Sequence, residues 1–124
     1  MIESLAVVAV MALISGKQIR SIHSFVLEYE NRKNPRPGTR AFIGNLLAEA
    51  SEFIPRRESV SQRALELEKK GIMGMDALHV ACAEEAGADY FVSCDDVLIK
   101  RLARIEDLKL HAVGLLEFIS REVF

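Results

Sequence analysis

Apolar residues recur along the chain in two alternating rhythms, long stretches with helical spacing and short runs with strand character. Leu5 to Ile14 is apolar or small at every position, which predicts a helix covered on most sides, with Gly16 placed to end it. Ile19 to His23 has the length and Ile content of a short strand. Ser24 is suited to cap a helix carrying Phe25, Val26 and Tyr29, which runs out at Asn34. Asn31 to Arg40, with Pro35, Pro37 and Gly38, reads as an irregular loop, and Thr39 as a cap. Phe42, Ile43, Leu46, Leu47 and Ala50 then form one helical stripe, followed by a brief strand from Glu52 to Pro55.

The second half repeats the alternation. Ser59 with Gln62 has the form of a capping box, and Val60, Ala64 and Leu67 extend a helical face to a stop at Gly71. Gly71 and Gly74 bracket a turn. A helix from Asp76 through Leu78, Ala81, Cys82 and Glu85 ends at Gly87, suited to a left-handed cap. Asp89 to Ser93 is an apolar strand, Asp95 opens a helix through Leu98, Leu102 and Ile105, and Leu108 to Val113 is a last strand before a closing helix. Strands separated by helices of this length require crossover connections. The predicted fold class is therefore α/β, a three-layer α/β/α arrangement around a mainly parallel sheet.

Composition narrows the class further. With 124 residues, half of them apolar, and six Phe, two Tyr and no Trp, the whole chain 1–124 reads as a single domain. Its net charge of −2 points to no strong steering by polyanions, although local patches can still matter. Cys82 and Cys94 fit no zinc spacing and are too few for a disulfide framework, which points to reduced thiols and a cytoplasmic location. The ten-residue apolar run at Leu5 to Ile14 is half the length of a membrane span, and Glu3 stands where a signal peptide carries basic residues, so no membrane association is expected.

Ligands of parallel α/β sheets meet the carboxyl ends of the strands, and those positions are acidic here. The strand at Tyr90 to Ser93 runs into Cys94, Asp95 and Asp96. The strand ending at His23 leads into the helix bearing Glu28 and Glu30, and Asp76 starts a helix after a glycine turn. Converging carboxylates repel unless protonated or bridged by a cation, and oxygen donors favour Mg²⁺ or Mn²⁺. Each acid also has an ordinary structural use: Asp95 or Asp96 as a helix cap, Asp76 as a first-turn charge, Glu28 and Glu30 as solvated surface. His79, one turn after Asp76, fits a packed or hydrogen-bonding role better than a ligand's, and His23 and His111 show no ligand spacing.

The stretch Met75-Asp76-Ala77-Leu78-His79-Val80-Ala81-Cys82-Ala83, followed by Gly87-Ala88-Asp89-Tyr90-Phe91-Val92-Ser93-Cys94-Asp95-Asp96-Val97-Leu98, resembles the C-terminal signature of PIN-domain proteins, including VapC-like toxins of bacterial toxin–antitoxin pairs. Ser24 to Pro35 resembles an earlier family segment, and the likeness extends from about Ile2 to Phe118. The resemblance implies a ribonuclease-like fold in which acids bind Mg²⁺ or Mn²⁺ and a metal-activated water cleaves RNA. It implies Glu30 as the second acid, with Glu28 as the competing register, Asp76 as the third and Asp95 as the fourth. Ser93 takes the place of a small hydroxyl residue, and Asp96 adds a water-mediated contact. A cognate antitoxin is a further implication of the resemblance.

The departure is at the front. Family members begin with a central strand ending in the first metal-binding Asp, but this chain opens inside the following helix and has no Asp before Asp76. A start codon placed too far downstream, a decayed gene, or a short form completed by a partner chain would each account for this. If these 124 residues are the whole functional protein, the gap predicts weak or absent nuclease activity, and the exposed apolar helix and unpaired strand edges favour homo-oligomerisation. The competing expectation is a non-catalytic PIN-like remnant that binds RNA or protein, or oligomerises.

Arg32, Lys33, Arg36 and Arg40 cluster around the Pro/Gly loop and are the first candidates for contact with an RNA backbone. Lys100, Arg101 and Arg104 have the same chemistry but also suit the end of their own helix. An unrelated phosphate-binding α/β domain is disfavoured, since Gly71 and Gly74 are too sparse for a phosphate loop.

Overall fold

The computed structural model describes residues 19–123. The helix expected at Leu5 to Ile14, with Gly16 as its stop, lies outside the described residues, as does Glu3.

Local sequence signals set most element boundaries. β1 (Ile22–Ser24) passes directly into α1 (Phe25–Arg32), because the Ser24 hydroxyl accepts a hydrogen bond from the Leu27 amide at 3.2 Å and caps the first turn. α2 (Pro37–Ala48) begins earlier than Thr39 predicts. Pro37 occupies its first turn, where a missing N–H costs nothing, so the irregular loop shrinks to a few residues and Arg40 becomes helical. β2 (Glu52–Ile54) follows, then α3 (Glu58–Lys69). Ser59 does not cap α3. The helix starts one residue before it, and the Ser59 hydroxyl instead donates to Glu85 at 3.0 Å while Gln62 donates to Glu58.

α3 and α4 (Gly74–Glu85) end in the same way. The amide of Gly71 bonds the Glu68 carbonyl and that of Ile72 the Leu67 carbonyl, with Gly71 at φ +97°. Gly87 at φ +70° repeats the pattern, its amide on the Glu84 carbonyl and that of Ala88 on Ala83. Both are Schellman ends, in which a left-handed residue reverses the chain and satisfies two otherwise orphan carbonyls. At the first, Ile72 folds back onto Leu67 and both are fully buried. β3 (Tyr90–Ser93), α5 (Asp96–Ala103), β4 (His111–Gly114) and α6 (Leu115–Val123) complete the order.

The fold is mixed α/β with parallel strand pairing. β1 pairs with β2, Ile22 opposite Glu52, and β3 pairs with β4, Tyr90 opposite His111. Among the described residues these remain two separate two-stranded sheets rather than the single sheet expected, because no backbone pairing joins β1 or β2 to β3 or β4, although the α3–α4 crossover connects β2 to β3 along the chain. α4 packs on both β1 and β3 and so spans the two sheets. The buried cluster is continuous across them. Val26, Ile54, Val60, Leu67, Val80 and Leu102 belong to it and are each at most 1% exposed.

A polar clamp reinforces the α3–α4 contact. Arg63 Nε lies 2.6 Å from Glu84 Oε1 and Nη2 lies 3.2 Å from Oε2, a bidentate pair in which the Glu84 side chain is only 4% exposed. Asp107 receives Arg63 at 3.0 Å and Lys70 at 2.7 Å, and Glu84 also accepts the Lys109 amide at 2.9 Å. The Lys70 and Arg63 hydrogen bonds hold the Asp107 carboxyl down at about 2, against an ordinary 3.8.

Two outcomes follow. Leu67→Ala removes a fully buried side chain from the α3–α4 seam and should lower the urea-unfolding free energy by about 2–5 kcal/mol. Because its folded-state pKa is depressed, the Asp107 contribution to stability is complete above an ordinary 3.8 and is lost as pH falls toward about 2. Asp107→Asn should therefore flatten that part of a stability-versus-pH profile.

Candidate functional site

The acids on α1 differ in orientation because they lie two residues apart on a helix, about 200° around its axis. Glu28 turns toward its own element, with Arg32 at 3.3 Å and the His23 ring at 3.8 Å. Glu30 reaches across to α4, where its Oε1 lies 2.6 Å from His79 Nε2. His79 is one turn beyond Asp76, so α4 carries both residues near one face. Asp76 is half-buried in the first turn of α4 and, among the described residues, has no ion-pair partner.

The β3–α5 junction holds the other two candidate acids. The Asp95 carboxylate accepts from the Val97 amide at 3.0 Å and the Leu98 amide at 3.1 Å, so it caps α5. The Ser93 hydroxyl accepts from the Asp95 amide at 3.0 Å, which fixes the turn. Asp96 is exposed in the first turn of the same helix. The structure thus brings Glu30 to the helix of Asp76 but leaves Asp95 committed to a cap. Among the described residues, no three His, Cys, Asp or Glu side chains form a group that can hold a metal ion.

A cleft of about 540 Å³ lies between the two sheets, bounded by Ile22 of β1 and Phe91 of β3, with Ser24, His79 and Cys82 in its wall. A more open depression of about 610 Å³ at the start of β3 and β4 is lined by Asp89 and His111 and contains none of the candidate acids. Burial pushes the Cys82 thiol up, against the opposing effect of a hydrogen bond with Ser24. That disfavours the thiolate and argues against nucleophilic thiol chemistry in the cleft. Burial also lowers the pKa of His23, despite the Glu28 charge, and its Nδ1 accepts the Ser24 amide at 2.9 Å.

Comparisons with protein-family models, with curated proteins and with solved structures return no match to this chain. No described helix is long and apolar enough to cross a membrane.

Of the candidate RNA contacts, Arg32 is engaged by Glu28, Lys33 Nζ sits 4.5 Å from the Tyr29 ring centroid, and Arg40 donates to the Asn34 carbonyl at 3.2 Å. Arg36 contributes its amide to the Asn34 side chain at 3.1 Å, and among the described residues its guanidinium has no ion-pair partner. All four side chains are exposed, so their outer surfaces stay accessible to phosphate. The His79–Glu30 contact was not foreseen from the sequence. The one available signal was the three-residue offset that puts His79 beside Asp76.

Asp95→Ala should cost about 1 kcal/mol of stability by loss of the α5 cap, whereas Asp95→Asn, which keeps a capping oxygen, should cost much less. Denaturant titration of the two variants measures the difference.

Proposed function

We propose that this chain is a PIN-type, VapC-like domain with a three-layer α/β/α plan, serving as a metal-dependent endoribonuclease and the toxin partner of a cognate antitoxin in the cytoplasm. The observation that carries this reading is the 2.6 Å contact between Glu30 and His79, which ties the acid of α1 to the helix bearing Asp76. Glu30 rather than Glu28 is therefore the α1 acid directed away from local ion pairs.

The donor set suits Mg²⁺ or Mn²⁺. All candidate ligands are carboxylates, and Mg²⁺ is ordinarily held by one or two carboxylates with waters and substrate phosphate, so a three-residue cage is not required. Glu30 and Asp76 would hold the ion, with Asp95 and Asp96 contributing from the β3–α5 junction. Such an ion lowers the pKa of a bound water and neutralises charge on a phosphate. The chain's own part is to orient Glu30, to present the half-buried Asp76, and to offer Arg32, Lys33, Arg36 and Arg40 to an RNA backbone.

A second reading has its own support. Asp95 satisfies two helix amides, so its position is explained without a ligand, as in a non-catalytic PIN-like module that binds RNA or protein or oligomerises. Tyr29, Phe42 and Phe53, each 45–49% exposed, give such a module apolar contact surface.

Cleavage of single-stranded RNA by the purified full chain, expected to be weak, should require Mn²⁺ or Mg²⁺, and Asp76→Asn should abolish it while leaving the circular dichroism spectrum unchanged. Mn²⁺ at 100 times its dissociation constant should stabilise the wild type by about 2.7 kcal/mol. Mn²⁺-dependent stabilisation without cleavage would favour the non-catalytic reading, and the absence of both effects would rule out the metal site.

A further inference from the structure

We infer that His79 is a positioning residue that holds Glu30 in the orientation needed to bind the divalent cation. The inference rests on the metal-site reading above and assigns a role to a residue outside the candidate ligand set. Its starting point is the geometry of one carboxylate. Glu30 Oε1 lies 2.6 Å from His79 Nε2, while the Glu30 side chain is 47% exposed and the His79 side chain only 14% exposed. The ring is thus fixed by packing and the carboxylate is not, so the histidine positions the glutamate rather than the reverse.

A carboxylate oxygen can only accept, which assigns the hydrogen to Nε2. The contact uses Oε1 and leaves Oε2 available to a cation. This is the usual division of labour at metal sites, where a ligating carboxylate is itself hydrogen-bonded and its partner sets its direction.

The origin of the two residues strengthens the argument. Glu30 stands on the last full turn of α1, and an exposed glutamate there has three side-chain torsions to restrict before it can act as a ligand. His79 stands on α4, one turn from Asp76, and α4 is anchored by the buried Ala77, Val80 and Ala81. The hydrogen bond therefore references Glu30 to the rigid element that carries Asp76. Glu28 has no such link, because its partners are Arg32 on the same helix and His23 just before it.

The test uses the full-length chain, with Mn²⁺ alone as the probe and binding followed by electron paramagnetic resonance. His79→Leu should weaken Mn²⁺ binding by about 10- to 100-fold. His79→Gln, whose amide nitrogen reaches a similar position and can donate, should recover most of that loss. A merely structural histidine would give no such rescue.

In metal-free wild-type protein, long-range ¹H–¹⁵N spectra should show His79 protonated at Nε2, with the signal shifting in Glu30→Gln. This measurement stands even if His79→Leu fails to fold. Wild-type affinity in a folded His79→Leu, or a ring protonated at Nδ1 alone, would overturn the positioning role. Loss of Mn²⁺ binding in Asp76→Asn alongside either result would show that the metal site itself survives. Absence of Mn²⁺ binding by the wild type would overturn both.

Discussion

The seam between α3 and α4 fixes where α4 lies, and α4 carries both Asp76 and the His79 ring that meets Glu30. Leu67, Ile72, Ala77 and Val80 are removed from water completely along this seam, so a shift of either helix would open a cavity in a close-packed core. The Arg63–Glu84 pair adds direction to that packing. A bidentate guanidinium–carboxylate contact with a nearly buried acid has one good geometry and so reinforces the register that the packing sets. The burial of Glu84 also makes Arg63 difficult to remove, since an unpaired carboxylate would remain in a poorly solvated place.

From α4 the constraint passes to the two sheets and then to the acids. α4 packs on β1 and on β3, although these strands belong to different sheets among the described residues. His79 and Cys82 face the cleft between them, and His79 reaches Glu30 at the end of α1. Each strand also delivers a helix whose first turn is fixed at once, by Ser24 after β1 and by Asp95 after β3. The scaffold therefore presents carboxylates from three helices through short connections. Short connections limit how far each acid can move.

The Asp95 cap shows how one carboxylate can satisfy two demands. One of its oxygens serves the Val97 and Leu98 amides, which is sufficient reason for an aspartate at that position. A spacing signature containing Asp95 is thus compatible with both chemistry and plain helix architecture. The Glu30–His79 pair is different in kind. It joins residues 49 apart in the chain, completes no helix end and closes no turn.

The local punctuation of the fold is legible in the chain alone. Ser24 and Asp95 start helices, and Gly71 and Gly87 end them, because capping and left-handed backbone conformations depend on a few neighbouring residues. The same locality explains two misreadings: Thr39 and Ser59 have capping chemistry, but Pro37 and Glu58 had already begun their helices. Long-range packing sets the rest: among the described residues the strands pair as two sheets, Arg63 clamps Glu84, and Glu30 rather than Glu28 meets α4. Those outcomes depend on which faces of distant elements pack together. Periodicity along the chain shows that a helix has a buried face, but not which partner's side chains will meet the residues at its margin.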